Sequence, residues 1–138
     1  MAQRVETYRG AVWPWEIDVM GHMNVRHYMA KYDDATLQLF GMLGLTIAYF
    51  RAENRAMGAV QQNLSYRKEL FAGDLLVIRS EIVDLGARKL HFRHRMIELQ
   101  SGDEAASAEM IGVHFDRETH RATPFPEAIV AAARELTA

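Results

Sequence analysis

The stretch Asp18-Val19-Met20-Gly21-His22-Met23-Asn24-Val25-Arg26-His27-Tyr28 places a carboxylate, an imidazole and a carboxamide on one turn that runs into a helical pattern. Those groups suit a small hydrolytic site. A carboxylate attacks an electrophilic carbon or activates water, an imidazole moves protons near neutral pH, and a carboxamide orients either partner. Gly21 allows backbone conformations closed to other residues, and Asn24 is a favoured N-cap for a helix predicted to begin near Val25. A helix start carries unpaired N–H groups and the positive end of the helix dipole, so charge developing on a carbonyl oxygen is stabilised there. The candidate nucleophile Asp18 and an oxyanion site near Asn24 and Val25 are therefore neighbours in sequence.

Plainer roles are open to the same residues. Asp in a glycine turn often bonds its own backbone, a neutral His22 can act simply as a hydrogen-bond partner, and capping alone accounts for Asn24. His27 and His94 read as structural. Asp18, His22 and His27 match no zinc spacing, so no metal is expected. Tyr28 falls on an apolar helical stripe, where core packing is its default role. Met20, Met23 and Met29 crowd the turn, and flexible thioethers suit either an adaptable pocket or ordinary core.

The elements that must position these groups follow from periodicity. Val5, Thr7 and Tyr8 predict a first strand over Arg4 to Val12, closed by Trp13-Pro14. From Val25 to about Leu43, Tyr28, Tyr32, Ala35, Leu39 and Met42 recur at helical steps, with Lys31, Asp34 and Gln38 on the other side. Gly44 is a natural C-terminal cap, and at ~1.5 Å per residue the helix is nearly 30 Å long, which places it through the centre of the fold. Ala48 to Arg55 reads as a mobile connecting stretch.

Four strand-like segments follow, Met57 to Leu70, Leu75 to Asp84, Lys89 to Leu99 and Ala105 to Phe115, separated by glycine-containing turns. They predict an antiparallel meander. In the third, Leu90, Phe92 and Met96 share a dry face, while Lys89, His91, Arg93 and Arg95 make the other face cationic. Only the long helix is available to cover the dry face, so the class is α+β, an antiparallel sheet curled around a helix. Thr123-Pro124-Phe125-Pro126-Glu127 opens a short alanine-rich helix ending near Leu136.

Composition narrows the function classes. At 138 residues the chain fits one domain, 1–138. A formal charge of -2 gives no net attraction to nucleic acid or to anionic membranes, so neither is an expected partner. Cysteine is absent, which excludes disulfides and thiolate chemistry and fits the cytoplasm. No apolar run approaches a membrane span, and Arg4, Glu6 and Arg9 fall where a signal peptide needs its apolar region.

A strand, an Asp-x-x-Gly-His-x-Asn-x-x-x-Tyr turn at Asp18, Gly21, His22, Asn24 and Tyr28, a long helix and four antiparallel strands together resemble the hot-dog fold acyl-CoA thioesterases of the 4-hydroxybenzoyl-CoA thioesterase type. Tyr66-Arg67-Lys68-Glu69 with Gly73-Asp74, Lys89-Leu90-His91-Phe92-Arg93-His94 and Thr119-His120-Arg121-Ala122-Thr123-Pro124 support the likeness, which spans almost the whole chain. The resemblance implies a five-stranded sheet wrapped around the central helix, subunits joined edge to edge as a homodimer or a dimer of dimers, and acyl-CoA bound between them. It implies Asp18 as nucleophile or general base, with His22 and Asn24 assisting and no cofactor beyond the CoA of the substrate. Gly21, Met23, Val25, Tyr28, Gln61, Asn63, Arg88 and Lys89 are the substrate-binding candidates; Gln61 and Asn63 fall at the dimer seam, and Arg67, Lys68, Arg88 and Lys89 are candidates for the CoA phosphates. A non-catalytic acyl-CoA or acyl-carrier binding module is the alternative. An enoyl-CoA hydratase is a further one, against which stands the Asp18-to-His22 step of four, since the resembling hydratases use five.

Overall fold

The structure, a computed structural model, describes residues 3–137. Five antiparallel strands and three helices follow in the order β1 (Val5–Ala11), α1 (Val25–Leu43), α2 (Ile47–Glu53), β2 (Arg55–Tyr66), β3 (Leu75–Leu85), β4 (Lys89–Glu98), β5 (Glu104–Asp116) and α3 (Glu127–Thr137), with a single 3-10 turn at Pro14–Glu16. The sheet order is β1-β3-β4-β5-β2. No helix among the described residues is long and apolar enough to cross a membrane.

The expected α+β layering holds. α1 starts at an Asn24 cap whose side chain accepts from the Arg26 N–H, and it ends at Gly44, which takes the left-handed conformation at φ 87°. Tyr28, Tyr32, Ala35, Leu39 and Leu43 form its buried stripe, packed with Leu76, Ile78, Leu90, Phe92, Met96 and Met110 from the sheet. Each such side chain contributes about 1.5 to 3 kcal/mol by leaving water.

Four expectations need correction. β3, β4 and β5 do form a meander, but β2 pairs with β5 at one edge and β1 pairs with β3 at the other. β2 also ends at Tyr66, because the chain must leave the sheet there to cross to β3. The irregular stretch after Gly44 contains α2, capped by the Thr46 side chain and closed by Asn54 in the left-handed conformation. Finally, Lys31 and Met42 exchange the sides expected of them: Lys31 is 6 % exposed while Met42 is 45 % exposed.

The outer face of the sheet is not simply cationic. Glu81 on β3 accepts from Arg93 and Arg95, while Glu109 and Glu104 on β5 receive Arg93 and Arg95 respectively. On the inner face a polar chain crosses the core. Thr7 Oγ1 and Ser80 Oγ lie 2.7 Å apart, Ser80 Oγ is 2.5 Å from His94 Nδ1, and His94 Nε2 is 2.8 Å from Thr36 Oγ1. The Thr36 hydroxyl donates to the Tyr32 carbonyl at 2.9 Å, so its oxygen must accept from His94, which fixes the proton on Nε2 and leaves Nδ1 to accept from Ser80.

Candidate active site

The Asp18 turn is built by backbone bonds before any side chain acts. Asp18 N–H donates to the His22 carbonyl and Gly21 N–H to the Asp18 carbonyl, at 3.1 and 3.0 Å. Gly21 sits at φ 89°, which an L side chain rarely adopts. Met23 N–H then donates to the Leu70 carbonyl at 2.8 Å, tying the end of the turn to the segment after β2.

The Asp18 carboxylate is held by both oxygens. Oδ1 accepts from the Met20 N–H and Oδ2 from the Asn24 carboxamide, each at 2.8 Å. The Asn24 donor, helped by that of Met20, holds the Asp18 carboxyl below its ordinary pKa. Asp18 thus does bond its own turn, as the plainer role expects, and the same bonds keep it ionised. Asn24 caps α1 through its carboxamide oxygen and holds Asp18 through its nitrogen.

The oxyanion expectation narrows. Asn24 N–H is taken by the Glu16 carbonyl at 2.9 Å, Arg26 N–H by the Asn24 side chain and His27 N–H by the Asn24 carbonyl. Among the described residues, the N–H of Val25 alone at this helix start has no acceptor. An open groove of about 580 Å³ lies at the same helix start, lined by Trp15, Asp18, Asn24, Arg26 and His27 among others. His22 is half-buried, with Nε2 3.7 Å from Glu69 Oε1.

Other candidates separate. Met23 is 1 % and Tyr28 3 % exposed, so both pack in the core of this chain. Gln61 and Asn63 are exposed on the edge strand β2. Arg88 ends the β3–β4 turn and Lys89 opens β4, level with Gly58 across β5. Gly58 is eight residues from Tyr66, about 26 Å along an extended strand. Within one chain these two basic residues and Asp18 occupy opposite ends of the sheet. Among the described residues no cluster of three His, Cys, Asp or Glu side chains is disposed to hold a metal ion.

Two residues that support the site were not singled out from sequence. Glu16 is buried with Lys31, Oε2 to Nζ 2.6 Å, and its Oε1 accepts from Trp13 N–H at 2.9 Å. Together they fasten the segment before Asp18 to the second turn of α1.

Residues 12–133 match the family model of the thioesterase-like superfamily. The chain belongs to that superfamily. Among curated relatives of this thioesterase-like domain, the L-carnitine dehydrogenase/betainyl-CoA thioesterase of Rhizobium meliloti is 26 % identical over 127 residues, covering 92 % of this chain and 25 % of that protein. The betainyl-CoA thioesterase of Pseudomonas aeruginosa is 24 % identical over 136 residues, covering 99 % of this chain and 86 % of its own. The domain therefore spans a quarter of the rhizobial protein and most of the Pseudomonas one. A Staphylococcus aureus protein solved in complex with CoA superposes with a TM-score of 0.90 at 19 % identity, over 99 % of this chain and 86 % of that one. The likeness identifies the sheet and helix of this thioesterase-like domain as the hot-dog fold.

Proposed function

We propose that the protein hydrolyses an acyl-CoA thioester to the free acid and CoA, with Asp18 as nucleophile or general base. The observation that carries this is a carboxylate kept ionised by Asn24, next to a helix start whose Val25 N–H is free. The Asp18 oxygen, or a water it deprotonates, adds to the thioester carbon, and the carbonyl oxygen becomes an oxyanion on the Val25 N–H. One such donor is worth about 3 to 4 kcal/mol in other hydrolases. The C–S bond then breaks and CoA leaves as a thiolate; where Asp18 itself attacked, water cleaves the resulting anhydride. His22 serves to hold that water or to protonate the leaving sulfur. The proposed steps call on no cofactor beyond the CoA of the substrate, and the absence of cysteine fits the cytoplasm.

The working unit in this proposal is a homodimer. β2 is bonded on one side only, and from Ala56 to Tyr66 it carries no charge and no proline, the usual guards of a free edge. Antiparallel pairing of two β2 edges about their middle sets the Tyr66 end of one copy beside the Met57 end of the other. Tyr66 packs edge-on against Tyr28 in the first turn of α1, ring centroids 4.9 Å apart. The reacting end of one copy thereby meets Arg88 and Lys89 of the other, which supply charge for the CoA phosphates, with Gln61 and Asn63 at the seam.

The test is thiol release from a thioester panel that includes betainyl-CoA, the substrate named for the curated relatives. An Asp18→Asn variant should bind acyl-CoA and lose about 100-fold or more in turnover. Unchanged turnover removes Asp18 from the chemistry; binding without turnover in the wild-type protein points to a carrier module instead.

A further inference from the structure

A second cavity, of about 240 Å³, lies between the middle of α1 and the β4-β5-β2 side of the sheet. Phe40 and Phe92 line it, edge to face with centroids 5.6 Å apart, together with the thioethers of Met57 and Met110. Asp33, an exposed residue, is the sole charged side chain lining it among the described residues. No cation is paired with Asp33 among the described residues, although the outer face of the same sheet is dense with matched ion pairs. The Thr36 hydroxyl, also on the wall, has its proton committed to the Tyr32 carbonyl. Behind Thr36, burial pushes the His94 imidazole down to about 4, so it is neutral and offers no counter-charge.

Aromatic rings, polarisable sulfur and one carboxylate, with the Gln62 carboxamide as the side-chain donor on the wall, are surroundings that can hold a quaternary ammonium, which cannot itself donate a hydrogen bond. Asp33 is exposed and has no cation beside it among the described residues, so a fixed positive charge in the cavity gains an unshared carboxylate that a neutral aliphatic group cannot use. The volume equals about eight water-sized groups, room for a compact branched acyl group and too little for a long chain. The cavity borders the Met57–Ala59 end of β2, the end that pairing through β2 sets beside the partner's Asp18 turn.

We propose that this cavity receives the acyl group and that Asp33 selects small acyl groups bearing a fixed positive charge. The proposal rests on the thioesterase function and on the β2-paired dimer set out above. Asp33 of one subunit then reads the acyl end while Asp18 of the partner acts on the carbonyl.

Betainyl-CoA and 3,3-dimethylbutyryl-CoA have one shape and differ by a charged nitrogen in place of carbon, so the ratio of their kcat/KM values isolates the charge. The expected ratio in the wild-type protein is about tenfold or more in favour of betainyl-CoA, falling toward one in Asp33→Asn and recovering in Asp33→Glu. A ratio near one in the wild-type protein, or one untouched by Asp33→Asn, overturns the proposal. So does turnover confined to long-chain or aromatic thioesters. If no thioester is hydrolysed, the hydrolytic function fails separately, and calorimetric titration of the same two compounds still decides selectivity: an Asp33-dependent difference in Kd sustains it and equal affinities overturn it.

Discussion

Asn24 Nδ2 donates to Asp18 Oδ2 at 2.8 Å while the oxygen of the same carboxamide accepts from the Arg26 N–H at 3.0 Å. One side chain thereby fixes where α1 begins and which way the candidate nucleophile points.

Replacing Asn24 should therefore change two measurements at once. Asn24→Ala loses the cap, for about 1 kcal/mol of stability in urea titration. It also removes a donor that favours the charged carboxylate, so the Asp18 pKa rises and the acidic limb of the kcat/KM profile moves to higher pH. Asn24→Asp keeps a capping oxygen but sets a like charge beside Asp18, and should move that limb further in the same direction. A stability loss with an unmoved limb would separate Asn24 from Asp18.

The Glu16–Lys31 pair predicts an asymmetry. Burial pushes the Glu16 carboxyl up, but Lys31 and the Trp13 N–H together bring it below its ordinary value. Lys31→Ala leaves that buried carboxylate without its ammonium partner, with only the Trp13 N–H and the nearby His27 ring beside it, at a cost of about 3 kcal/mol, whereas Lys31→Met combined with Glu16→Gln should recover most of it. Chemical denaturation of both variants checks this. Because the pair anchors the strand-side entry to the Asp18 turn, kcat should fall in Lys31→Ala and return in the double variant.

His94 sets a pH window for stability. Its pKa is about 4 in the folded core against about 6.5 in an open chain, so between those values the unfolded state binds the extra proton. Stability is full above pH 6.5, falls as pH drops toward 4 and levels below, with a loss on the order of 3 kcal/mol. Melting temperatures across that range should show the decline in the wild-type protein, and a His94→Gln variant should show a shallower slope over the same interval.

The free edge of β2 is testable by charge. Val60, 55 % exposed on that strand, replaced by Lys should keep the circular dichroism spectrum while light scattering reports a shift from dimer to monomer. Since the proposed site spans two copies, thiol release should drop by about tenfold or more. A dimer that persists with full activity would place the subunit contact elsewhere.

How much of this was written in the sequence varies with distance along the chain. Asp18, Gly21, Asn24 and the limits of α1 were legible because turn, cap and helix are local, each signalled within a few residues. The partner of β2 was not, since alternation tells which face a residue occupies but says nothing about which strand lies beside it. α2, with seven residues, is too short to display a period. Lys31 read as a solvated residue because its partner lies fifteen positions earlier, in a turn with no pattern of its own. His94 was different: Leu90, Phe92 and Met96 point inward at every second place on β4, and that parity already put His94 among them.

The chain of hydroxyls and imidazole through Thr7, Ser80, His94 and Thr36 joins β1, β3, β4 and α1, each member lying 2.5 to 2.8 Å from the next. Oil-like side chains tolerate sliding past one another, but a slip of any of these strands by a single position would strand a donor in apolar surroundings. The thread acts as an indexing pin for the whole assembly, setting how far along the helix each strand must stop and, with it, where the two ends of a bound thioester can be met.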